Sequence, residues 1–119
     1  MKFSISEVNK ILGHINFNGS VKSDFFFNKV CIDSRIISPK DLFIALKGDK
    51  FDGHDFLQNV RKIGVKAVVI DQGKQNLVPK NYPFWVVSDT KEAFLNLALF
   101  KRRKFNMPVI AITGSVGKT

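Results

Sequence analysis

Apolar residues recur at Ile5, Val8, Ile11 and Leu12, the three-and-four spacing of one helix face. Ser4 and Glu7 stand at the two positions of a capping box and Gly13 at the stop, so a short first helix is expected over residues 5–12. From Ile15 to Asp24 polar residues and glycine dominate, and no regular element is expected there. The run Phe25-Phe26-Phe27-Asn28-Lys29-Val30-Cys31-Ile32 reads as one strand, with Asp33-Ser34-Arg35 directly after it. Ser38-Pro39-Lys40-Asp41 is turn chemistry, and Leu42 to Leu46 reads as a buried strand running into Lys47-Gly48-Asp49-Lys50.

Phe51-Asp52-Gly53-His54-Asp55 reads as a polar turn. Beyond it, Phe56, Leu57, Val60 and Ile63 mark a helix closed by Gly64. Two further strands are expected at 66–71 and 84–87, separated by a polar stretch that holds Pro79 and Pro83. Asp89 or Thr90 caps a helix with Ala93, Phe94, Leu97, Ala98 and Phe100 on one side. Strands separated by helices imply an α/β domain. The last helix ends in Lys101-Arg102-Arg103-Lys104, where positive charge complements its dipole. Phe105 to Pro108 then marks a boundary before a new apolar strand at Val109 to Ile112.

With 119 residues, 45% hydrophobic and 24% charged, the chain has the composition of a folded domain rather than of a disordered segment. Twelve Phe against one Trp and one Tyr point to a core built on Phe, Ile, Leu and Val. No apolar run approaches the roughly 20 residues of a membrane span, and Met1-Lys2-Phe3 does not open a signal peptide. A cytoplasmic location is therefore expected. The single cysteine, Cys31, has no internal disulfide partner and reads as a small buried strand residue. The formal charge of +9 raises the question of nucleic acid. Because the lysines are scattered from Lys2 to Lys118, an anionic small molecule is the better expectation, with no nucleic-acid partner.

The segment Thr113-Gly114-Ser115-Val116-Gly117-Lys118-Thr119 carries the most specific chemistry. The longer phosphate-loop pattern has a glycine where this chain has Ile112, so the match is to the shorter form Gly-x-x-Gly-Lys-Thr. Gly114 and Gly117 allow backbone N–H groups to turn toward phosphate oxygens, Lys118 can neutralise phosphate charge, and Thr119 can offer a hydroxyl to Mg²⁺. Placed directly after an apolar strand, the loop reads as a nucleotide site. A metal site of the zinc type is not expected, since His54 and His14 lie far apart in sequence.

Four segments taken in order resemble the amino-terminal region of the Mur ligases, the enzymes that build the peptide stem of the peptidoglycan precursor. They are Cys31-Ile32-Asp33-Ser34-Arg35, Asp41 to Gly48, Phe51-Asp52-Gly53-His54-Asp55-Phe56, and Thr113 to Thr119. The likeness spans roughly Ile32 to Thr119. Ser115 and His54 favour the MurF type, which adds D-alanyl-D-alanine. The MurE type, which adds the third stem residue, and a stand-alone UDP-sugar-binding module remain the alternatives.

The resemblance implies a small mixed-sheet α/β domain with flanking helices, residues 1–106, that holds the UDP end of UDP-MurNAc-tripeptide. Residues 107–119 would supply the first strand and truncated phosphate loop of a Rossmann-like ATPase domain. The parent would be a monomer that uses ATP and Mg²⁺ to form an acyl phosphate on the tripeptide, which D-alanyl-D-alanine then attacks. Residues 113–119 would hold ATP, with Lys118 catalytic and Thr119 toward the metal, and the 119-residue chain by itself would be inactive. By motif position Ser34 and Arg35, with the loop Gly48, Asp49, Lys50 and Phe51, would contact the uridine diphosphate. The residues themselves leave a second reading for Asp33 and Arg35, an ion pair bracing a turn. For His54, capping and turn roles stand beside nucleotide contact.

Overall fold

The computed structural model describes residues 2–22 and 25–104. Its elements in chain order are β1 (Phe3–Ser4), α1 (Ile5–Leu12), β2 (Phe17–Asn18), β3 (Phe26–Phe27), β4 (Val30–Cys31), β5 (Leu42–Ile44), α2 (Leu57–Ile63), β6 (Val68–Asp71), β7 (Phe84–Val87) and α3 (Thr90–Lys104). Single 3₁₀ turns lie at His14–Asn16, Gly53–Phe56 and Gln75–Leu77.

Local chemistry accounts for the helix ends. The Glu7 N–H donates to Ser4 Oγ (3.0 Å) while the Ser4 N–H donates to Glu7 Oε1 (2.9 Å), which closes the expected capping box on α1. Gly64 ends α2 in the left-handed region at φ 108°, where only glycine is free of Cβ strain. At the start of α3 the Asp89 carboxylate accepts from the Lys91 N–H (2.9 Å), and the Thr90 N–H is taken by Asp71 Oδ1 from the end of β6 (2.8 Å). Asp89 is thus the capping side chain, and a strand residue ties down the helix start from outside.

The main sheet runs β2-β7-β6-β5-β4, with β4 to β7 mutually parallel and β2 antiparallel on the β7 edge. Its inner strands are apolar on both faces, as a sheet covered on both sides requires. Leu42, Ile44, Val69 and Trp85 face α1 and α3, where Val8, Leu12, Ala93 and Leu97 complete one core. Phe43, Val68 and Ile70 face α2, where Leu57 and Val60 complete the second. Trp85 anchors the first core: it is fully buried, stacks on Phe17 at 4.2 Å and donates from Nε1 to Asn9 Oδ1 (2.8 Å). The Phe-rich core therefore has the lone tryptophan at its centre. Cys31 is buried and free in β4, as expected of a small strand residue.

Two expected segments differ. Residues 14–18 hold a 3₁₀ turn and β2, because Phe17 and Asn18 pair with Trp85 and Phe84 across the sheet edge. The apolar run 25–32 is two strands in two sheets. Phe26–Phe27 pairs antiparallel with β1, whereas Val30–Cys31 pairs parallel with β5. The chain crosses between them at Asn28, whose N–H donates to Lys40 O (2.8 Å). Among the described residues no helix is long and apolar enough to cross a membrane.

Candidate functional site

Parallel strands present their carboxyl ends together, and loops leaving those ends form the crevice in which open α/β sheets bind ligands. Beyond the ends of β4 and β5 lies a cavity of about 360 Å³. One wall is the segment Ile32 to Arg35 after β4, another is Leu46, Phe51, Gly53 and Phe56 after β5, and Phe43 also lines it. Two of the lining side chains are exposed and apolar, Phe51 at 71% and Ile32 at 44%.

Asp33 and Arg35 do form the ion pair that the sequence left open. Asp33 Oδ1 accepts from the Arg35 backbone N–H (2.9 Å) and from Nε (3.1 Å), and Oδ2 accepts from Nη2 (3.1 Å). These side-chain bonds, then the backbone bond, hold the Asp33 carboxyl below its ordinary value against a small desolvation penalty. The pair braces the turn around Ser34 and leaves the guanidinium at the surface beside the cavity.

The second wall is a tight hairpin. Lys47 bridges Asp52, and the Gly48 N–H donates to Phe51 O (2.7 Å), which leaves Asp49 and Lys50 at the tip. The Gly53 N–H donates to Leu46 O (2.8 Å), and this contact demands glycine, since a Cβ there would sit 2.8 Å from Leu46 N and 2.9 Å from Ala45 Cα. Asp52 caps the following 3₁₀ turn by accepting from the His54 N–H (3.0 Å). Burial works against the Asp52 carboxylate, but hydrogen bonds from His54 and the Lys74 charge outweigh it and hold its pKa below the ordinary value. His54 itself is buried, so it takes the cap-and-turn role rather than a place on the cavity wall.

The structure thus brings Ser34, Arg35 and Phe51 together at the cavity, while Gly48, Asp49 and Lys50 stand exposed at the hairpin and do not line it. Phe43, Leu46, Gly53 and Phe56 complete the walls and were not singled out from sequence. Their signal was present only as strand and turn residues, because apolar lining looks the same as core until the fold opens a space beside it. The phosphate-loop residues Thr113, Gly114, Ser115, Val116, Gly117, Lys118 and Thr119 lie outside the described residues. Among the described residues no group of three His, Cys, Asp or Glu is placed to hold a metal ion.

A parallel-stranded α/β domain with a crevice at its strand ends is the form of a nucleotide- or substrate-binding unit. The family model for the Mur ligase family, catalytic domain, matches residues 27–112, and the chain belongs to the Mur ligase family. It is 39% identical over 100 residues to the UDP-N-acetylmuramoyl-tripeptide--D-alanyl-D-alanine ligase of Synechocystis, a match covering 84% of this chain and 22% of that protein. Among solved structures, MurF from Acinetobacter baumannii superposes with a TM-score of 0.72 at 21% identity, over 87% of this chain and 22% of that one. MurF ligase from Thermotoga maritima, solved in complex with ADP, does so with a TM-score of 0.53 at 25% identity, over 64% of this chain and 17% of that one. The chain spans about a fifth of the length of the relatives it matches.

Proposed function

We propose that this chain is the substrate-nucleotide-holding part of a cytoplasmic, ATP-dependent ligase that joins D-alanyl-D-alanine to UDP-MurNAc-tripeptide. The observation that carries the reading is the 39% identity over 100 residues to a ligase of that name. Residues 1–106 form the part that holds the UDP end, and residues 107–119 begin the ATP-binding part.

The cavity gives the reading a place for the nucleotide. Its apolar floor and the exposed Phe51 ring suit a flat heterocyclic base, and burying apolar surface there favours the bound state at roughly 25 cal/mol per Å². The Ser34 hydroxyl and the Arg35 guanidinium are donors suited to diphosphate oxygens at the rim. Arg35 is already oriented by Asp33, which lowers the ordering cost of recruiting it. Gly48, Asp49 and Lys50 contribute by shaping the hairpin that carries Phe51, with Lys50 adding positive charge at the tip.

The donor set of residues 113–119 fits a nucleotide: glycines that free backbone N–H groups, a lysine for phosphate charge and the Thr119 hydroxyl for Mg²⁺. When bound, Mg-ATP supplies the phosphoryl group that activates the terminal carboxylate of the tripeptide. Lys118 would stabilise charge at that phosphoryl, and the loop N–H groups would hold it in place.

Titration of the chain with UDP-MurNAc-tripeptide tests the proposal. Saturable binding that weakens about tenfold in Ser34→Ala and Arg35→Ala is the expected result. Failure of the unchanged chain to bind overturns the cavity assignment. In a protein carrying the ligase's remaining regions, Lys118→Ala should abolish phosphate release that depends on D-alanyl-D-alanine, and unchanged release removes the loop's assigned role.

A further inference from the structure

His54 is buried to 2% exposure although it neither lines the cavity nor faces solvent, and both of its ring nitrogens are engaged. Nε2 lies 3.0 Å from the Asp71 backbone N, at the end of β6. A backbone N–H can only donate, so Nε2 must be the unprotonated acceptor. Nδ1 then carries the proton and donates to Asp52 Oδ1, 2.6 Å away. The Asp52 backbone in turn forms a β-bridge with Lys47 across the hairpin, and Asp52 precedes Gly53, the residue in close contact with the end of β5. The same Asp71 anchors the start of α3 through its carboxylate.

We propose that His54 is a positioning residue for the cavity: its neutral, Nδ1-protonated ring is a strut that ties the hairpin carrying Phe51 to the end of the neighbouring strand. Without the strut the hairpin keeps two local backbone bonds, Gly48 to Phe51 and Gly53 to Leu46, and a half-exposed charge contact from Lys74 Nζ to Asp52 Oδ2 at 3.6 Å. With it, the wall takes its position from the rigid parallel sheet. The effect on ligand binding rests on the nucleotide reading above, whereas the strut itself does not.

Two substitutions separate the ring's two bonds. In His54→Gln the side-chain carbonyl can replace Nε2 as acceptor, and in His54→Asn the amide can replace Nδ1 as donor but falls short of β6. Ring-nitrogen NMR of the unchanged chain should show Nε2 unprotonated and Nδ1 protonated. Amide exchange should then cross over. The Asp71 amide exchanges about tenfold faster in His54→Asn but stays protected in His54→Gln, whereas Gly48 and Gly53 exchange faster in His54→Gln. UDP affinity should fall about five- to tenfold in both variants. A protonated Nε2, identical exchange patterns in the two variants, or unchanged affinity in both overturns the proposal. If the unchanged chain binds no UDP, the nucleotide reading fails, and the ring-nitrogen and exchange results alone decide the role of His54.

Discussion

The face of the sheet under α1 and α3 and the crevice at the ends of β4 and β5 are built from the same strands by different physics. Under the helices, Phe3, Phe27, Leu42, Val69, Trp85 and Leu97 are almost wholly removed from water, and order comes from area and fit. At the crevice, order comes from directed contacts: the Asp33–Arg35 pair, the Gly53 approach to β5 and the His54 bridge to Asp71. Two apolar side chains there, Phe51 and Ile32, are left at the surface. A region stabilised by burial should lose stability when it is cut. A region held in shape by hydrogen bonds around an open space should lose ligand first.

The largest expected effect is on the buried side. Trp85→Ala removes the ring that stacks on Phe17 and leaves a large cavity, so it should cost about 3–5 kcal/mol in urea denaturation. A loss below about 1 kcal/mol would show that the centre of the core lies elsewhere. Gly53→Ala comes next and straddles the two regions, because the new Cβ collides with strand backbone rather than with a flexible side chain. It should cost about 1–3 kcal/mol and also weaken UDP binding; a variant of unchanged stability contradicts the close approach.

Ser4→Ala removes one half of the α1 capping box far from the crevice. It should destabilise by about 1 kcal/mol and leave UDP affinity unchanged, a result checked by denaturation and titration on the same sample. Arg35→Ala should do the reverse, weakening binding with no resolvable shift of the denaturation midpoint, since the pair is exposed. Equal effects of these two variants on stability would erase the contrast between the regions.

The smallest effect is a pH dependence. Asp33 and Asp52 both have folded pKa values below the ordinary 3.8, so each contributes stability that is present above that value. The contribution is lost as pH falls from 3.8 through the lower folded values. Asp52→Asn should therefore lower stability modestly near neutrality and flatten the acid limb below about pH 4, so that the variant and the unchanged chain converge in acid. An acid limb unaltered by this substitution contradicts the low folded pKa of Asp52.

Elements with local signals were legible in the chain. The capping box at Ser4 and Glu7 delimits α1, Gly64 closes α2, and β7 has the expected bounds, because each depends on residues within a turn of one another. The strand Phe17–Asn18 was hidden, since two residues in a polar stretch become a strand only when Trp85 and Phe84 offer an edge nearly 70 positions away. The run 25–32 looked continuous because an apolar pattern reports burial but not which sheet receives it.

The crevice divides the same way. Asp33-Ser34-Arg35 and Phe51 stood out by residue type and by resemblance, whereas Phe43, Leu46 and Phe56 carried no mark separating lining from core. His54 drew notice as a capping residue within a polar turn, but its second bond spans 17 positions to Asp71. The amino-acid order by itself determined the α/β class, the principal helices and the family, because periodicity, caps and motif spacing are short-range properties. Only the tertiary structure decided which strands pair, where a cavity opens and which tautomer His54 adopts. Those depend on distant backbone groups meeting at hydrogen-bond distance, which no local pattern of residues encodes.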